Sequence, residues 1–389
     1  MKAVAIVDGE HYPDVVRDAL AELPYEFVGV MLVGGTEKLR GAPDYGVPIV
    51  GGPGDAEIAV DLSDEPVLDP RTRLHLASRF LADGIPYVGA DFRFDPPMLH
   101  PFGPPSVAVI GTGKRVGKTA VTGAVARALA RDRRVVVVAM GRGGPAAPEL
   151  IESPPSLDEL LALSRSGRHA ASDHLETAVL AGVPTIGCRR VGGGMAGATF
   201  TSNVLEGAAL AASLDPDVVV FDGSGAAIPP VDVDARILVA HDVESGLNPY
   251  RVLISDVVLT MDDDVARDVR ALGKAAIRFG LRLRPVEPLS GRRIALFTTG
   301  DAPFGHLEAD VVFVSRNLSD RAALAEDLRV ADADAFVVEI KAAAIDMVAE
   351  AALERGAKLV FAGNDVVTPP GEPDLDELFR GLAPSQVRA

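Results

Sequence analysis

The chain has 389 residues, 48% of them hydrophobic, and a formal net charge of −17. That length allows two or three globular domains with a sizeable core, and that charge argues against nonspecific attachment to DNA or to an anionic membrane. The one cysteine, Cys188, excludes an intrachain disulfide and argues against a cysteine-built metal site. The N-terminal run from Met1 to Asp8 meets a charge too soon for a secretion signal, and no uncharged apolar run reaches the length of a membrane span. The expectation is a cytoplasmic protein without nucleic-acid or membrane partners.

Residues 1–103 alternate short β-branched runs at 4–7, 27–33, 48–50 and 58–60 with helical stretches at 15–23 and 72–81, which is the pattern of an α/β domain. The polar run from Asp8 to Pro13 follows the first strand and could close over a ligand or be a plain turn. A proline-rich passage at 95–105 reads as a linker. Residues 104–285 carry continuous apolar runs at 107–110, 135–139, 185–187, 218–221, 237–239 and 257–260. Such runs, without alternation, predict parallel strands covered on both faces. The acidic run Asp262, Asp263 and Asp264 reads as a solvated helix start. Residues 286–389 repeat the α/β pattern on a smaller scale, with apolar runs at 294–298, 311–314, 335–338 and 358–361.

The sharpest signal lies directly after the run at 107–110. Gly111, Thr112, Gly113, Lys114, Arg115, Val116, Gly117, Lys118 and Thr119 form a glycine-rich loop, and the Ala- and Leu-rich stretch 119–129 behind it should be a helix. Small residues let backbone N–H groups turn inward onto phosphate oxygens. Lys118 reaches the β- and γ-phosphates, the Thr119 hydroxyl suits Mg²⁺, and the helix presents its positive end. An ordinary strand-to-helix turn has no need for Lys114, Arg115 and Lys118 crowded together. The fold class that follows is α/β: a central parallel sheet of the P-loop NTPase type with helices on both faces, flanked by smaller N- and C-terminal α/β domains. The usual spacing places the first glycine at position 112; here Gly111 is one position early and Gly113 one late. This lengthened loop resembles that of dethiobiotin synthetase and its relatives, ATP-dependent ligases in a class that also holds partitioning ATPases and metal-loading GTPases.

Ligands collect at the carboxyl ends of parallel strands. After the run at 135–139, Arg142 sits among glycines and can pair bidentately with phosphate. Between strands, residues 168–174 form the densest polar cluster. His169 and Asp173 are four apart and share a helical face, and His174 with Asp173 could form a metal or acid/base pair; a capped helix start with solvated histidines is the plainer alternative. After the run at 185–187 come Arg189 and Arg190, then a glycine run that includes Gly193 and Gly194. Planar guanidinium forks and exposed backbone N–H donors suit a highly anionic ligand. Asp222 ends the run at 218–221, where the second Mg²⁺ contact of such ATPases lies. Lys341, after a late strand, could reach the site from the third domain, although a surface lysine is the plainer reading.

Taken together, the runs 111–119, 140–145, 169–174, 188–195 and 222–230, with 8–13 and 339–346 outside the core, resemble the cyclic 2,3-diphosphoglycerate synthetase family along nearly the whole chain. The resemblance implies ATP and Mg²⁺, with K⁺ a candidate further cation, a homodimer, and closure of 2,3-diphosphoglycerate into an intramolecular phosphoanhydride with release of ADP and phosphate. It implies catalytic roles for Lys118, Lys114 and Asp222 and a nucleotide cradle at 111–119. Substrate contacts fall to Arg142, His169, His174, Arg189, Arg190, Gly193 and Gly194, and metal contacts to Thr119, Asp173 and Asp222. Glu is expected where this chain has Asp222, so the charge is kept and the reach is shortened. Two rivals stand beside this reading. Another ATP-dependent ligase or kinase would act on a less anionic metabolite and would not need the pair Arg189 and Arg190. A nonenzymatic switch of the partitioning or metal-loading kind would show a lysine at Gly113, a Cys/His cluster or an Asn-Lys-x-Asp run, and none of these is in the sequence.

Overall fold

The computed structural model describes residues 1–35, 39, 41–166, 172–289, 291–300, 303–340 and 344–383. Three sheets organise them. The central sheet has nine strands. Its parallel core runs, in spatial order, Thr185–Val191, Val135–Gly141, Val218–Asp222, Ser106–Gly111, Ala235–Ala240, Val257–Thr260 and Ala276–Arg278. Two short strands, Glu149–Ile151 and Thr201–Ser202, add antiparallel to the outer strand Thr185–Val191.

Every residue of Ser106–Gly111, Val135–Gly141 and Val218–Asp222 is buried, which is why these segments read as unbroken apolar runs. Successive side chains enter opposite layers. Ala108, Ile110, Val136, Val138 and Phe221 face a core shared with the helix Val204–Ser213 and with Val4, Ile6 and Phe80 of the N-terminal domain. Val107, Val109, Val135, Val137 and Val220 face the helix Lys118–Leu129 and the final helix Leu375–Leu382. Burying each such side chain contributes about 1.5–3 kcal/mol, so both faces are firmly covered.

The N-terminal sheet runs Glu26–Leu32, Lys2–Val7, Ile58–Asp61, Tyr87–Val88 and Arg93–Phe94, parallel except for the last pair. The expected strand at 48–50 is a single bridge between Val30 and Ile49 at the sheet's edge, since Pro48 has no N–H to donate to a ladder. The third sheet runs Gly280–Pro285, Lys358–Val367, Ala335–Glu339, Arg293–Phe297 and Asp310–Ser315, parallel except for the first pair.

Two segments cross the divisions drawn from sequence. Gly280–Pro285, read with the middle block, pairs into the third sheet; Arg282 and Arg284 interrupt its apolar pattern, as suits an edge strand. The final helix, read with the third block, packs Phe379 against the phosphate-loop helix layer, and Arg133 donates to the Ala383 carbonyl at 3.0 Å. The proline-rich passage is pinned: Phe102 stands edge-on to Phe221 with ring centroids 5.2 Å apart, and His100 N donates to Pro230 O. Asp262 caps the helix Asp263–Ala271 by accepting from Asp264 N and Val265 N, so the acidic run is a helix start. Among the described residues, no helix is long and apolar enough to cross a membrane.

Candidate functional site

The glycine-rich loop leaves the strand Ser106–Gly111 and enters the helix Lys118–Leu129 through a left-handed Gly117, φ 92°. Arg115 also has a positive φ of 60°, a backbone state that costs a non-glycine residue energy and that clusters at functional turns. Close contacts fix the loop. A Cβ at Gly111 would lie 3.1 Å from Gly225 O, and one at Gly117 would lie 3.3 Å from Phe279 Cζ. Thr112 is tied to the neighbouring strand: its N–H donates to Val239 O, and its Oγ1 accepts from His241 N at 3.2 Å. Gly111 and Thr112 therefore anchor the loop, while residues 113–119 line a cleft of about 730 Å³.

At the floor of this cleft the adjacent strand Val218–Asp222 delivers Asp222, 3% exposed. Its carboxylate accepts from Lys118 Nζ and from Thr122 Oγ1 at 2.8 Å. Burial holds the Asp222 carboxyl above the ordinary carboxylate range, against the opposing pull of Lys118. The short side chain thus has the reach to hold the loop lysine directly.

Beyond Asp222 the chain turns through Ser224 and Gly225, and two arginines meet there. A Cβ at Gly225 would lie 3.6 Å from Arg190 Nη2 and 3.7 Å from Arg142 Nη2. Arg190 donates to Ser224 O and Gly192 O, each at 2.8 Å, while its Nε is buried with no partner among the described residues. Burial, then the neighbouring Arg142 charge, lowers the Arg190 guanidinium from its ordinary value. Two like charges held this close call for an anion. Asp173, first residue of the helix Asp173–Ala181, lines the same cleft, and its Oδ2 lies 3.2 Å from a Cβ position at Gly141.

Two neighbouring pairs part company. Arg189 and Arg190 are consecutive in the strand Thr185–Val191, so they project to opposite faces. Arg190 turns towards Gly225, whereas Arg189 is exposed and its backbone is tied to Asn203, the N–H donating to Asn203 Oδ1 at 2.7 Å and the carbonyl accepting from Asn203 N at 3.2 Å. Asp173 faces the cleft, but His174 is buried beside Gly187, where a Cβ would come within 2.6 Å of the ring. His174 lines a separate cavity of about 690 Å³ with Glu149, Glu152 and Glu159. Gly193 and Gly194 lie in the exposed turn beside Arg190, a Cβ at Gly193 being 3.2 Å from Arg190 Nη1 and Gly194 N donating to Ala198 O. His169 and Lys341 lie outside the described residues.

Of the opposite wall of the cleft, the sequence suggested only a reach by Lys341. That wall comes from the third sheet: Thr299, Ser319, Arg321, Glu339 and Asn364 face the phosphate loop. Thr299 and Glu339 sit at the carboxyl ends of Arg293–Phe297 and Ala335–Glu339, so the strand-end rule applied to this block would have found them. Among the described residues no group of three or more His, Cys, Asp or Glu side chains is placed to hold a metal alone. Thr119, Asp173 and Asp222 line the same cleft with one hydroxyl and two carboxylates, oxygen donors of the kind Mg²⁺ takes.

Known proteins were compared with the chain. Three family models cover it: the N-terminal domain of cyclic 2,3-diphosphoglycerate synthetase matches residues 2–95, its P-loop domain residues 106–275 and its C-terminal domain residues 285–365. The chain belongs to the cyclic 2,3-diphosphoglycerate synthetase family. The synthetase of Rubrobacter xylanophilus is 46% identical over 94% of each chain, and that of Thermococcus kodakarensis 42% identical over 95% of each. The synthetase of Methanothermus fervidus is 37% identical, covering 93% of this chain and 92% of that one. The solved structure of "apo" form LpxK from Aquifex aeolicus in complex with ATP overlaps at a TM-score of 0.43 and 14% identity, over 79% of this chain and 93% of that one. In this family member the P-loop, Arg142 and the third-sheet wall share one cleft, and Arg190 stands beside Gly225, which lines it.

Proposed function

We propose that this member of the synthetase family uses ATP to close 2,3-diphosphoglycerate into its cyclic phosphoanhydride, releasing ADP and phosphate. The observation that carries the reading is the convergence of Arg142 and Arg190 on Gly225, directly beside a phosphate loop whose first glycine touches the same residue. A substrate with two phosphates and a carboxylate supplies the anion those charges lack.

In the first step an oxygen of one substrate phosphate attacks the γ-phosphorus, the bond to the β–γ bridging oxygen breaks, and ADP leaves. Lys118, drawn from Asp222 onto the phosphates, and Lys114 spread the charge on the transferring group. In the second step an oxygen of the neighbouring phosphate attacks the substrate phosphorus that carries the new phosphoryl group. The phosphoanhydride ring closes and inorganic phosphate leaves. Both reacting groups sit on one molecule, so closure is effectively unimolecular. Arg142 and Arg190 reduce the repulsion that holds the two phosphates apart. Thr119, Asp222 and Asp173 would hold Mg²⁺, which when bound neutralises charge on the transferring phosphoryl. Dependence on K⁺, a homodimeric state and a cytoplasmic location belong to the same proposal by family likeness. Replacing K⁺ with Na⁺ in the assay and measuring mass in solution check the first two.

The deciding experiment is ³¹P NMR of the protein with ATP, Mg²⁺ and 2,3-diphosphoglycerate. The expected outcome is a growing intramolecular pyrophosphate signal matched by ADP and phosphate. ATP consumption without that signal would remove the cyclase reading.

A further inference from the structure

The carboxylate of Glu339 lines the wall of the cleft opposite the phosphate loop. It is held in place from the third sheet: Oε2 accepts from Thr299 N at 2.7 Å and from Thr299 Oγ1 at 2.9 Å, and Oε1 accepts from Asn364 Nδ2 at 3.3 Å. A carboxylate has about four acceptor sites, so three fixed donors orient it and leave capacity on the cleft side. Across the cleft stand Lys114, Arg115 and Lys118 on the phosphate loop. A fixed negative charge here repels phosphate and suits a ligand group that donates hydrogen bonds.

The two ligands of the proposed reaction differ in this respect. 2,3-Diphosphoglycerate has both hydroxyls esterified and offers phosphate and carboxylate oxygens, which are acceptors. The triphosphate of ATP is likewise all acceptor. Only the nucleoside end of ATP carries donors, and its ribose places two hydroxyls side by side. An acidic residue at the carboxyl end of a parallel strand is well suited to accept from such a diol. Glu339 ends the parallel strand Ala335–Glu339. Apolar side chains that line the same cleft, Leu281, Leu318 and Ile340, offer surface to the base beyond the sugar.

We propose that Glu339, oriented by Thr299 and Asn364, accepts the ribose hydroxyls of ATP, so that the nucleotide is held by its phosphates on the central sheet and by its sugar on the third. This rests on the reading of the cleft as an ATP site. Isothermal titration of ADP, 2′,3′-dideoxy-ADP and inorganic triphosphate into the full-length protein and into Glu339→Ala tests it. The wild-type protein should bind ADP at least about tenfold more tightly than the dideoxy compound. Glu339→Ala should lose that discrimination, binding both nucleotides like the dideoxy compound, with triphosphate affinity unchanged; the retained triphosphate binding also shows that the variant is folded. Equal wild-type affinity for the two nucleotides, or discrimination that survives in Glu339→Ala, overturns the assignment while leaving the ATP reading standing. A drop in Glu339→Ala equal for all three ligands also overturns it and moves Glu339 to the metal or the phosphates. Failure of every nucleotide to bind the wild-type protein overturns the ATP reading and the assignment together.

Discussion

The N-terminal and central sheets both end parallel strands on buried aspartates, yet they use them differently. In the N-terminal sheet Asp61 takes Arg73 Nε at 2.8 Å, Tyr87 Oη at 2.8 Å and Ser63 N at 2.9 Å, and Asp8 takes Glu10 N, His11 Nδ1 and Asp64 N. These acids are saturated by partners from within their own domain. In the central sheet Asp222 holds Lys118, whose loop opens onto a cleft, and the cations nearby exceed what Asp222 and Asp173 neutralise. A strand-end acid therefore marks a ligand site where its partner can be drawn away, and a structural joint where it cannot.

The largest effect expected from this contrast is on turnover. Lys118→Ala should reduce ATP-coupled cyclisation by about 10²–10³-fold or more, read as ADP release, with little change in melting beyond that caused by leaving Asp222 without its cation. Next, Asp61→Ala should lower unfolding stability by about 1–3 kcal/mol in denaturant titration, because Arg73 keeps only Glu65 as a carboxylate partner and the buried Tyr87 hydroxyl loses its acceptor. Its kcat under conditions where the variant is folded should stay near wild type; a loss like that of Lys118→Ala would erase the distinction between the two sheets. Third, Arg190→Ala should raise the KM for 2,3-diphosphoglycerate by about 10–100-fold, the worth of a charged hydrogen bond, while Arg189→Ala should change kcat and KM by no more than about twofold. Equal effects from the two arginines would contradict the opposed faces of their strand.

The smallest expected effect is in pH dependence. Although burial opposes it, hydrogen bonds from Asp64 N, His11 and Glu10 N hold Asp8 below its ordinary value of 3.8. A depressed carboxyl contributes stability that is present above the unfolded value and is lost as pH falls through the folded one, so Asp8 matters in the window below about pH 3.8. Asp222 is raised by burial, which has the opposite sign: its contribution is fullest below the unfolded value and declines as pH rises through the folded one. Asp8→Asn should flatten the acid limb of a stability–pH curve, and Asp222→Asn should not.

The central sheet was legible because its strands are buried on both faces and its first loop joins glycines to clustered cations, features visible within a dozen residues. Asp222, Arg142 and the loop from Gly113 to Thr119 followed from asking what comes after each strand. Which of two neighbouring residues faces the cleft was not legible. Asp173 and His174, or Arg189 and Arg190, are separated only by the register and tilt of their elements. Of the wall carrying Glu339 only a reach by Lys341 was foreseen, because the wall is brought to the phosphate loop by packing over more than 200 positions of chain. The strand-end rule points to position 339, but nothing local says which sheet it faces.

Phe279, whose ring sits against Gly117, is the last residue before the strand Gly280–Pro285. Phe279 thus links the last strand of the central sheet to the first of the third, and the final helix returns from the third sheet to the same layer. A side chain at Gly117 would press on the ring that opens the third sheet, so the turn into the helix and the seat of that sheet are set at one contact.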